Sequence, residues 1–254
     1  NKPLSGDFRL AGLDLSVARP FVPMVERLAG QLNGSGQLSG TLLAPQVNGN
    51  LALSGGEVSG AELPASLQAL SVQAQIAGEQ VRLEGNWRSG EAGRGQLSGN
   101  LTWGQALGMD VRLQGQQLLI TVEPYATLEV APDLTLRLID DKLAVTGKVL
   151  VPKGKITVRE LPPSTVKVSD DTVIVGRQTE EGKPPMAMAM DIDVEVGQDK
   201  LSFTGFGLTA NLLGHVHIGD NLDTRGELSL ADGRYRAYGQ RLTIRRARLL
   251  FAGP

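Results

Sequence analysis

The chain has 254 residues, a net charge of −2 and 41% hydrophobic residues. This length suits one large all-β domain or two smaller ones. The small net charge gives no whole-chain attraction to nucleic acid. The absence of cysteine excludes disulfides, thiol catalysis and cysteine-based metal sites. No apolar run of about 18 residues occurs, so no segment of this sequence is expected to span a membrane as a helix.

The first candidate element covers residues 13–28. Ser16 is a plausible N-cap, and Pro20 and Pro23 suit only a first turn or a break in a helix. Four apolar side chains follow at helical spacing, namely Phe21, Met24, Val25 and Leu28. We predict a short amphipathic helix within residues 16–28 that covers one end of a sheet.

From residue 31 onward the pattern is one of strands and turns. Apolar and polar residues mostly alternate, which is typical of strands with one buried face. Residues 140–142 are predicted to form a hairpin loop between two such strands. The polar segment 177–185 is predicted to be a long mobile loop.

A ten-residue pattern occurs three times, as G-x-φ-x-φ-x-x-G-x-φ with φ apolar or aromatic. It begins at Gly49, Gly147 and Gly226, intervals that are too long for the rungs of a solenoid. Glycine adopts positive φ angles readily, so we interpret each copy as a strand, a tight turn and a returning strand.

The longest alternating stretch covers residues 186–196. One face carries three methionines followed by Ile192, Val194 and Val196, and the other ends with Asp191, Asp193 and Glu195. Burying six such apolar side chains is worth on the order of 10 kcal/mol. Almost no helix is available to cover this face. The apolar faces must therefore meet each other, in a sandwich, a barrel, or a sheet folded along its length.

The last third carries more specific motifs. They include G-K-I-T-V-R-E-L-P from Gly154, F-T-G-F-G-L-T-A-N-L-L-G from Phe203, and G-R-Y-R-A-Y-G-Q-R-L-T-I from Gly233, with F-A-G-P at the end. In these motifs the chain resembles the C-terminal domain of the TamB family, within the AsmA-like group of bridge-forming lipid transport proteins. The resemblance is firm from about residue 133 and looser before it.

The resemblance implies a fold: an all-β, long, curved and mostly antiparallel sheet, folded like a taco shell around an apolar interior, with one or two short helices. Residues 1–132 would form its N-terminal part and residues 133–254 the TamB C-terminal-type segment, as one continuous groove. The family chain continues past the F-A-G-P motif, so we expect its extreme C-terminus to lie beyond Pro254.

The resemblance also implies a function. The protein would be periplasmic, anchored to the inner membrane by a segment outside this sequence, with an outer-membrane barrel of the TamA type as partner. It would conduct phospholipids between the two membranes or support the assembly of outer-membrane proteins such as autotransporters. No enzymatic activity, cofactor or metal is expected.

The alternating strands of the C-terminal half supply the candidate site. If the open groove that the resemblance implies is present, their apolar parity marks the residues expected to line it and contact acyl chains or nascent strands: Val149, Val151, Ile156, Val158, Met186, Met188, Met190, Ile192, Val194, Val196, Leu201, Phe203, Phe206, Leu208, Leu228 and Leu230. Methionine is flexible and polarisable, which suits a surface that accepts varied chains.

Alternatives remain open for several features. His215 and His217 share a strand face and could bind a metal with Asp220, although a surface pair is the simpler interpretation. Seven arginines near the C-terminus, between residues 225 and 248, could bind anionic headgroups or an acidic partner, or form an ordinary solvated face. The apolar faces themselves could form a lipid conduit or the closed core of a passive scaffold or adhesion-type domain.

Overall fold

The computed structural model describes residues 3–60, 63–104, 106–139, 141–158, 187–237, 240–245 and 247–253. Within these ranges 15 strands form one sheet. In chain order they are β1 (Gly6–Asp14), β2 (Arg27–Thr41), β3 (Ala44–Ser59), β4 (Leu67–Gly78), β5 (Gln80–Ser89), β6 (Gly93–Thr102), β7 (Gly108–Gln116), β8 (Leu118–Val122), β9 (Ala126–Ile139), β10 (Lys142–Val158), β11 (Ala187–Gly205), β12 (Leu208–Ile218), β13 (Thr224–Ala237), β14 (Gln240–Ile244) and β15 (Ala247–Ala252).

The sheet is open and almost entirely antiparallel. The strands lie in chain order from β1 to β14, except for β8. β8 pairs with the first part of β9, and β15 pairs with the first half of β13. β10 and β11 pair in parallel, from Lys142 opposite Ala187 to Val158 opposite Gly205. β1 and the β14–β15 side are the two edges, so the sheet does not close on itself. The prediction of an all-β, mostly antiparallel, curved sheet is confirmed.

The register of the strands gathers the apolar residues on one face, here called the inner face. A single row crosses seven strands through directly opposed positions: Ile76, Val81, Leu101, Met109, Leu138, Leu143 and Met188. The residues between them along each strand point to the opposite, outer face, because side chains alternate along a strand. The alternation of the sequence therefore becomes one continuous apolar surface.

β-Bulges interrupt many of the strands near their middle. The register shifts between Leu53 and Gly56 on β3, between Val151 and Lys153 on β10, and opposite residues 231–234 on β13. A bulge bends its strand and increases the local twist. The bulges thus give the long strands the curvature of a folded sheet.

The repeated glycine pattern coincides with these bulged strands, so the hairpin interpretation is wrong. Each copy lies within a single strand, on β3, β10 and β13. The first glycine of each copy faces the backbone of the neighbouring strand: a Cβ on Gly147 would collide with the carbonyl of Asp133, and one on Gly226 with that of His215. The pattern marks a bend and a close backbone approach, where glycine is required for the same steric reason as in a turn.

The short helix predicted within residues 16–28 is present, but its bounds, its type and the exposure of its apolar residues differ from the prediction. A 3-10 helix covers Leu15–Phe21, and its N-cap is Asp14, whose side chain accepts a hydrogen bond from Ser16 N at 2.8 Å. That hydrogen bond lowers the pKa of Asp14 below its ordinary value. Pro20 lies inside this helix, and the strand β2 has begun by Arg27. Phe21 remains 83% exposed, so the helical spacing of the four apolar residues does not produce a buried face.

Other predictions concern the connections. The hairpin predicted around residues 140–142 joins β9 to β10, where Ile139 and Lys142 pair antiparallel; Lys142 already belongs to β10, and residue 140 lies outside the described residues. The predicted mobile loop 177–185 lies outside the described residues. The predicted division after residue 132 falls inside β9, and the sheet continues through that strand on both sides.

Candidate functional site

The inner face is only partly covered along most of its length. Ten hydrophobic side chains in the described residues are buried, and nine of them lie on β8 to β13. In β1 to β7 the inner apolar residues are half-buried, except for Trp87 on β5, which is buried, and Leu13 near the end of β1, which is 42% exposed. The apolar side chains of β1 to β7 are therefore less covered by other protein atoms than those of β8 to β13.

The C-terminal half of the inner face contains a buried cluster. Leu201, the most buried of its larger members, is only 3% exposed. The cluster consists of Val151, Leu201, Ala210, Leu212 and Leu230, packed against Leu128, Val130, Val149, Ile156, Val194, Val196, Phe203, Leu208 and Ala247. The strands of this half curl enough for their side chains to cover one another.

Most of the predicted groove residues lie at this cluster. Nine of them belong to it: Val149, Val151, Ile156, Val194, Val196, Leu201, Phe203, Leu208 and Leu230. Ile192 is buried on β11 opposite Ile218, while Met190, Val158 and Leu228 are half-buried on their strands. The sequence pattern therefore selected a set that the fold brings together, in the more closed part of the inner face.

Three predicted residues lie elsewhere. Met188 continues the inner row but is 52% exposed near the start of β11. Phe206 lies in the turn between β11 and β12, with a positive φ of 51° and 56% exposure. Met186 is outside the described residues.

The more open part of the inner face was not selected from the sequence. It is formed by β1 to β7 and β9, and its half-buried side chains include Leu32, Leu51, Val72, Leu83, Val111 and Leu136. These residues alternate with polar ones as clearly as those of β11 do. Their parity, applied to the whole chain, would have identified them.

One polar residue is buried between the two parts. Ser89 is the most buried side chain of the described residues, and its Oγ donates to the carbonyl of Leu119 at 3.3 Å. On the same strand, the indole of Trp87 lies against Gly95 of β6, where any side chain would collide with the ring. This region fixes β5, β6 and β8 against one another.

The outer face is held by ion pairs between strands. Arg112 binds Asp133 through two hydrogen bonds, from Nε to Oδ1 at 2.9 Å and from Nη2 to Oδ2 at 2.8 Å. These bonds lower the pKa of Asp133, mainly through the hydrogen bond from Arg112. Arg137 and Asp110 form a second pair between the same two strands. The outer face is thus polar and solvated where the inner face is apolar.

The two histidines also lie on the outer face. The Oδ1 atom of Asp193 is 3.3 Å from His215 Nε2 and 3.2 Å from His217 Nδ1. The hydrogen bond with His217 is the main reason why the pKa of Asp193 is lowered. Asp220 instead accepts a hydrogen bond from Met190 N at 2.8 Å. Among the described residues no group of three acidic, histidine or cysteine side chains is arranged to hold a metal ion.

An open, curved sheet with an apolar inner face and a polar outer face places this protein among the all-β proteins built on one large curved sheet. The family model for the TamB C-terminal domain matches residues 82–254, and the model for the TamB N-terminal domain matches residues 1–53. The chain belongs to the TamB family. The part of it that the structure describes contains no helix with the length and hydropathy needed to cross a membrane.

One curated relative matches the whole length of this chain. The chain is 24% identical over 270 residues to the translocation and assembly module subunit TamB of Haemophilus influenzae, in a match that covers 100% of this chain and 21% of that protein. The chain therefore spans about a fifth of the relative's length. The comparison with solved structures gave no significant match.

Proposed function

We propose that this chain is a segment of a hydrophobic groove that conducts phospholipids between the inner and outer membranes. The apolar inner face, continuous from β1 to β15 and still half-exposed in β1 to β7, is the observation that supports this. In this proposal the acyl chains lie on the inner face while the headgroups remain in water. The proposal includes no catalytic step.

The direction of the groove supports a bridging role. In a sheet whose strands bend across the groove, the groove runs perpendicular to the strands, in the direction of their hydrogen bonds. Thirteen strands in the main order, spaced at about 4.8 Å, give about 60 Å of groove. The relative is nearly five times longer than the stretch that matches this chain. Added strands of the same kind would lengthen the groove without changing its cross-section.

The compartment and the partner are proposed from the family. The relative's name describes a subunit of a translocation and assembly module. We place this chain in the periplasm, as part of a protein anchored in the inner membrane, with a TamA-type outer-membrane barrel as partner. An apolar groove with open strand edges would also suit nascent outer-membrane strands, so support of outer-membrane protein assembly belongs to the same proposal.

Photo-crosslinking in the open part of the inner face tests the proposal. A photo-reactive amino acid at Leu83, on the inner face of β5, should capture phospholipid from vesicles. The same amino acid at Glu84, the next residue on the outer face, serves as the matched control. Lipid captured at Leu83 and not at Glu84 is expected.

A blocking variant distinguishes a groove from a closed scaffold. Leu97 lies on the neighbouring strand β6, opposite Gly85, which is two residues from Leu83 on the same face of β5. In an open groove Leu97→Arg should remain folded, because the guanidinium reaches water, and capture at Leu83 should be lost. Ser98→Arg, on the outer face, should leave capture unchanged. Unfolding by Leu97→Arg, with no lipid captured by the chain that retains Leu97, would instead support a closed scaffold.

A further inference from the structure

A second surface lies at the end of the sheet where β10, β11 and β13 finish. Here a cleft of about 1100 Å³ is lined by outer-face residues of β10 to β14 and also by four residues with inner-face parity on the same strands, Val158, Leu208, Tyr235 and Leu242. One row of the cleft crosses five strands through directly opposed residues: Thr157, Thr204, Thr209, Arg234 and Thr243. A smaller depression of about 240 Å³ shares Lys155 and Thr157 with it and adds the hydroxyls of Thr121 and Thr127 and the carboxylate of Glu123.

The cleft is cationic. Lys155, Arg234, Arg236 and Arg241 line it, and no acidic side chain of the described residues does. Arg236 and Arg241 are directly opposed on β13 and β14. Like charges at directly opposed positions of a sheet repel each other. An anion bound between the two guanidinium groups would neutralise this repulsion.

Four other cations of the outer face have carboxylate partners: Arg112, Arg137, Lys153 and Arg248 each lie within ion-pair distance of a carboxylate on a neighbouring strand. Arg88 and Arg94 are likewise directly opposed, on β5 and β6, so the cleft differs from that pair by its row of threonines. In the cleft the cross-strand neighbours of the cations are hydroxyls and another arginine. Arginine forks and hydroxyl donors are the groups that bind phosphate oxygens.

Exposed apolar side chains border the same cleft. Phe206, Tyr235 and Leu242 line it and are 56%, 37% and 57% exposed. Phe206 holds a left-handed backbone conformation, with a φ of 51°, that glycine or asparagine would adopt with less strain. A bulky aromatic residue at an exposed, strained turn is consistent with a role in contact rather than in folding.

We propose that this cationic cleft and its apolar rim dock the end of the sheet onto an anionic membrane surface, with the cations and hydroxyls binding phosphate-bearing headgroups. Basic residues near an anionic leaflet and aromatic or aliphatic side chains at its interface act together in such binding. Free phosphate would use the cations and hydroxyls but not the apolar rim. The hydroxyl row and the apolar rim would contribute little to the binding of an acidic polypeptide. The inference does not depend on what the groove carries.

Sedimentation with vesicles tests the docking. The chain should bind vesicles of phosphatidylcholine mixed with phosphatidylglycerol, and bind vesicles of phosphatidylcholine alone far more weakly. The triple variant Arg234→Gln, Arg236→Gln, Arg241→Gln should bind the anionic vesicles on the order of 10- to 100-fold more weakly. The matched control is the triple variant of three exposed outer-face arginines on β1, β5 and β6, Arg9→Gln, Arg82→Gln and Arg94→Gln. It should bind like the unchanged chain.

The apolar rim has its own variant. Phe206→Asn suits the left-handed backbone, so the turn should be retained while vesicle binding weakens severalfold. Circular dichroism checks the fold of each variant, and crosslinking at Leu83 separates the cleft from the groove, because the arginine variant should still capture lipid there.

Several outcomes would overturn the proposal. Equal binding to neutral and anionic vesicles would show that the charges of the cleft do not contribute to binding. Full displacement from the vesicles by inorganic phosphate at millimolar concentration would show a site for the free anion. Binding of a poly-glutamate peptide without binding of vesicles would assign the cleft to an acidic polypeptide. Equal losses in the two arginine triple variants would reduce the effect to net charge.

Discussion

Asp193 on β11 lies directly opposite His217 on β12, with Oδ1 and Nδ1 3.2 Å apart on the outer face. The same oxygen is 3.3 Å from His215 Nε2, so one carboxylate joins two positions of the neighbouring strand. This pair lies behind Ile192 and Val194, whose side chains belong to the inner face. The outer-face contact therefore holds together the two strands that carry part of the buried cluster.

The first prediction concerns acid stability. The pKa of Asp193 is lowered, mainly by the hydrogen bond with His217. A lowered pKa means that the folded state binds this proton less readily than the unfolded chain does. The contribution is therefore present above the unfolded pKa of about 3.9 and is lost as the pH falls through the lower folded value. Asp193→Asn should unfold at lower urea concentration than the unchanged chain at pH 7, and the difference should shrink below about pH 4.

The control for this experiment is Asp199→Asn, an exposed carboxylate on the same strand. It should leave the urea midpoint nearly unchanged at both pH values. A difference for Asp193→Asn that is the same at pH 7 and in acid would contradict the assigned cause.

The second prediction tests the close approach at the repeated glycine. Gly226 has a φ of 134°, and a Cβ there would meet backbone atoms of His215 and Val216. Gly226→Ala should lower the free energy of unfolding by about 1–3 kcal/mol. Gly6→Ala is the matched change, because a Cβ at Gly6 has no neighbour within 4 Å and its φ is not positive. Thermal unfolding measures both, and equal effects would refute the steric explanation.

The third prediction compares the two parts of the inner face. Leu212 belongs to the buried cluster, so Leu212→Ala should cost about 2–5 kcal/mol of unfolding free energy. Leu51 occupies an equivalent inner position on β3 but is half-buried, and Leu51→Ala should cost less than about 2 kcal/mol. Denaturant unfolding of both variants gives the comparison. Similar large costs would mean that the N-terminal part is as closed as the cluster.

The fourth prediction concerns the edges. β1 pairs with β2 and β15 with β13, so each presents a second side to solvent or to a partner. Backbone groups on such an edge can add a strand from another protein. Amide exchange measured with and without the periplasmic domains of a TamA-type partner should show new protection in β1 or in β14 and β15. Protection confined to the interior strands β4 to β7 would argue against strand addition.

Much of the fold could be predicted from the alternation of residues. Met188, Ile192 and Val194 indicated both a strand and its apolar face, and β11 has that parity. Alternation depends only on neighbouring residues, so the sequence carries it directly. The half-buried apolar residues of β5 and β7 alternate with polar residues in the same way, although they are not among the residues predicted to line the groove.

Local patterns were ambiguous where turns and bulges use the same residues. Gly49 and Gly56 fit a hairpin as well as a bent strand, because both need glycine to relieve crowding. The spacing of Phe21 and Met24 fitted a helix, but the segment contains Pro20 and Pro23 and reaches β2 within a few residues. Which structure forms depends on the pairing with neighbouring strands.

Long-range register could not be predicted at all. The parallel pairing of β10 with β11 decides that Thr157 lies opposite Thr204, and two further pairings bring Arg234 into the same row. These residues are distant in the sequence and carry no common motif. The cationic cleft exists only through that register.

The parallel pair also affects the order in which the molecule folds. Antiparallel neighbours such as β5 and β6 start pairing at a short turn and extend from it. β10 and β11 cannot start in this way, because residues paired across the two parallel strands, such as Lys142 and Ala187, lie 45 positions apart in the sequence. Closing a long loop costs entropy before any contact forms, and such pairing is slow. We therefore expect two half-sheets, β1–β10 and β11–β15, to form first and to join along this seam in the slowest step of folding.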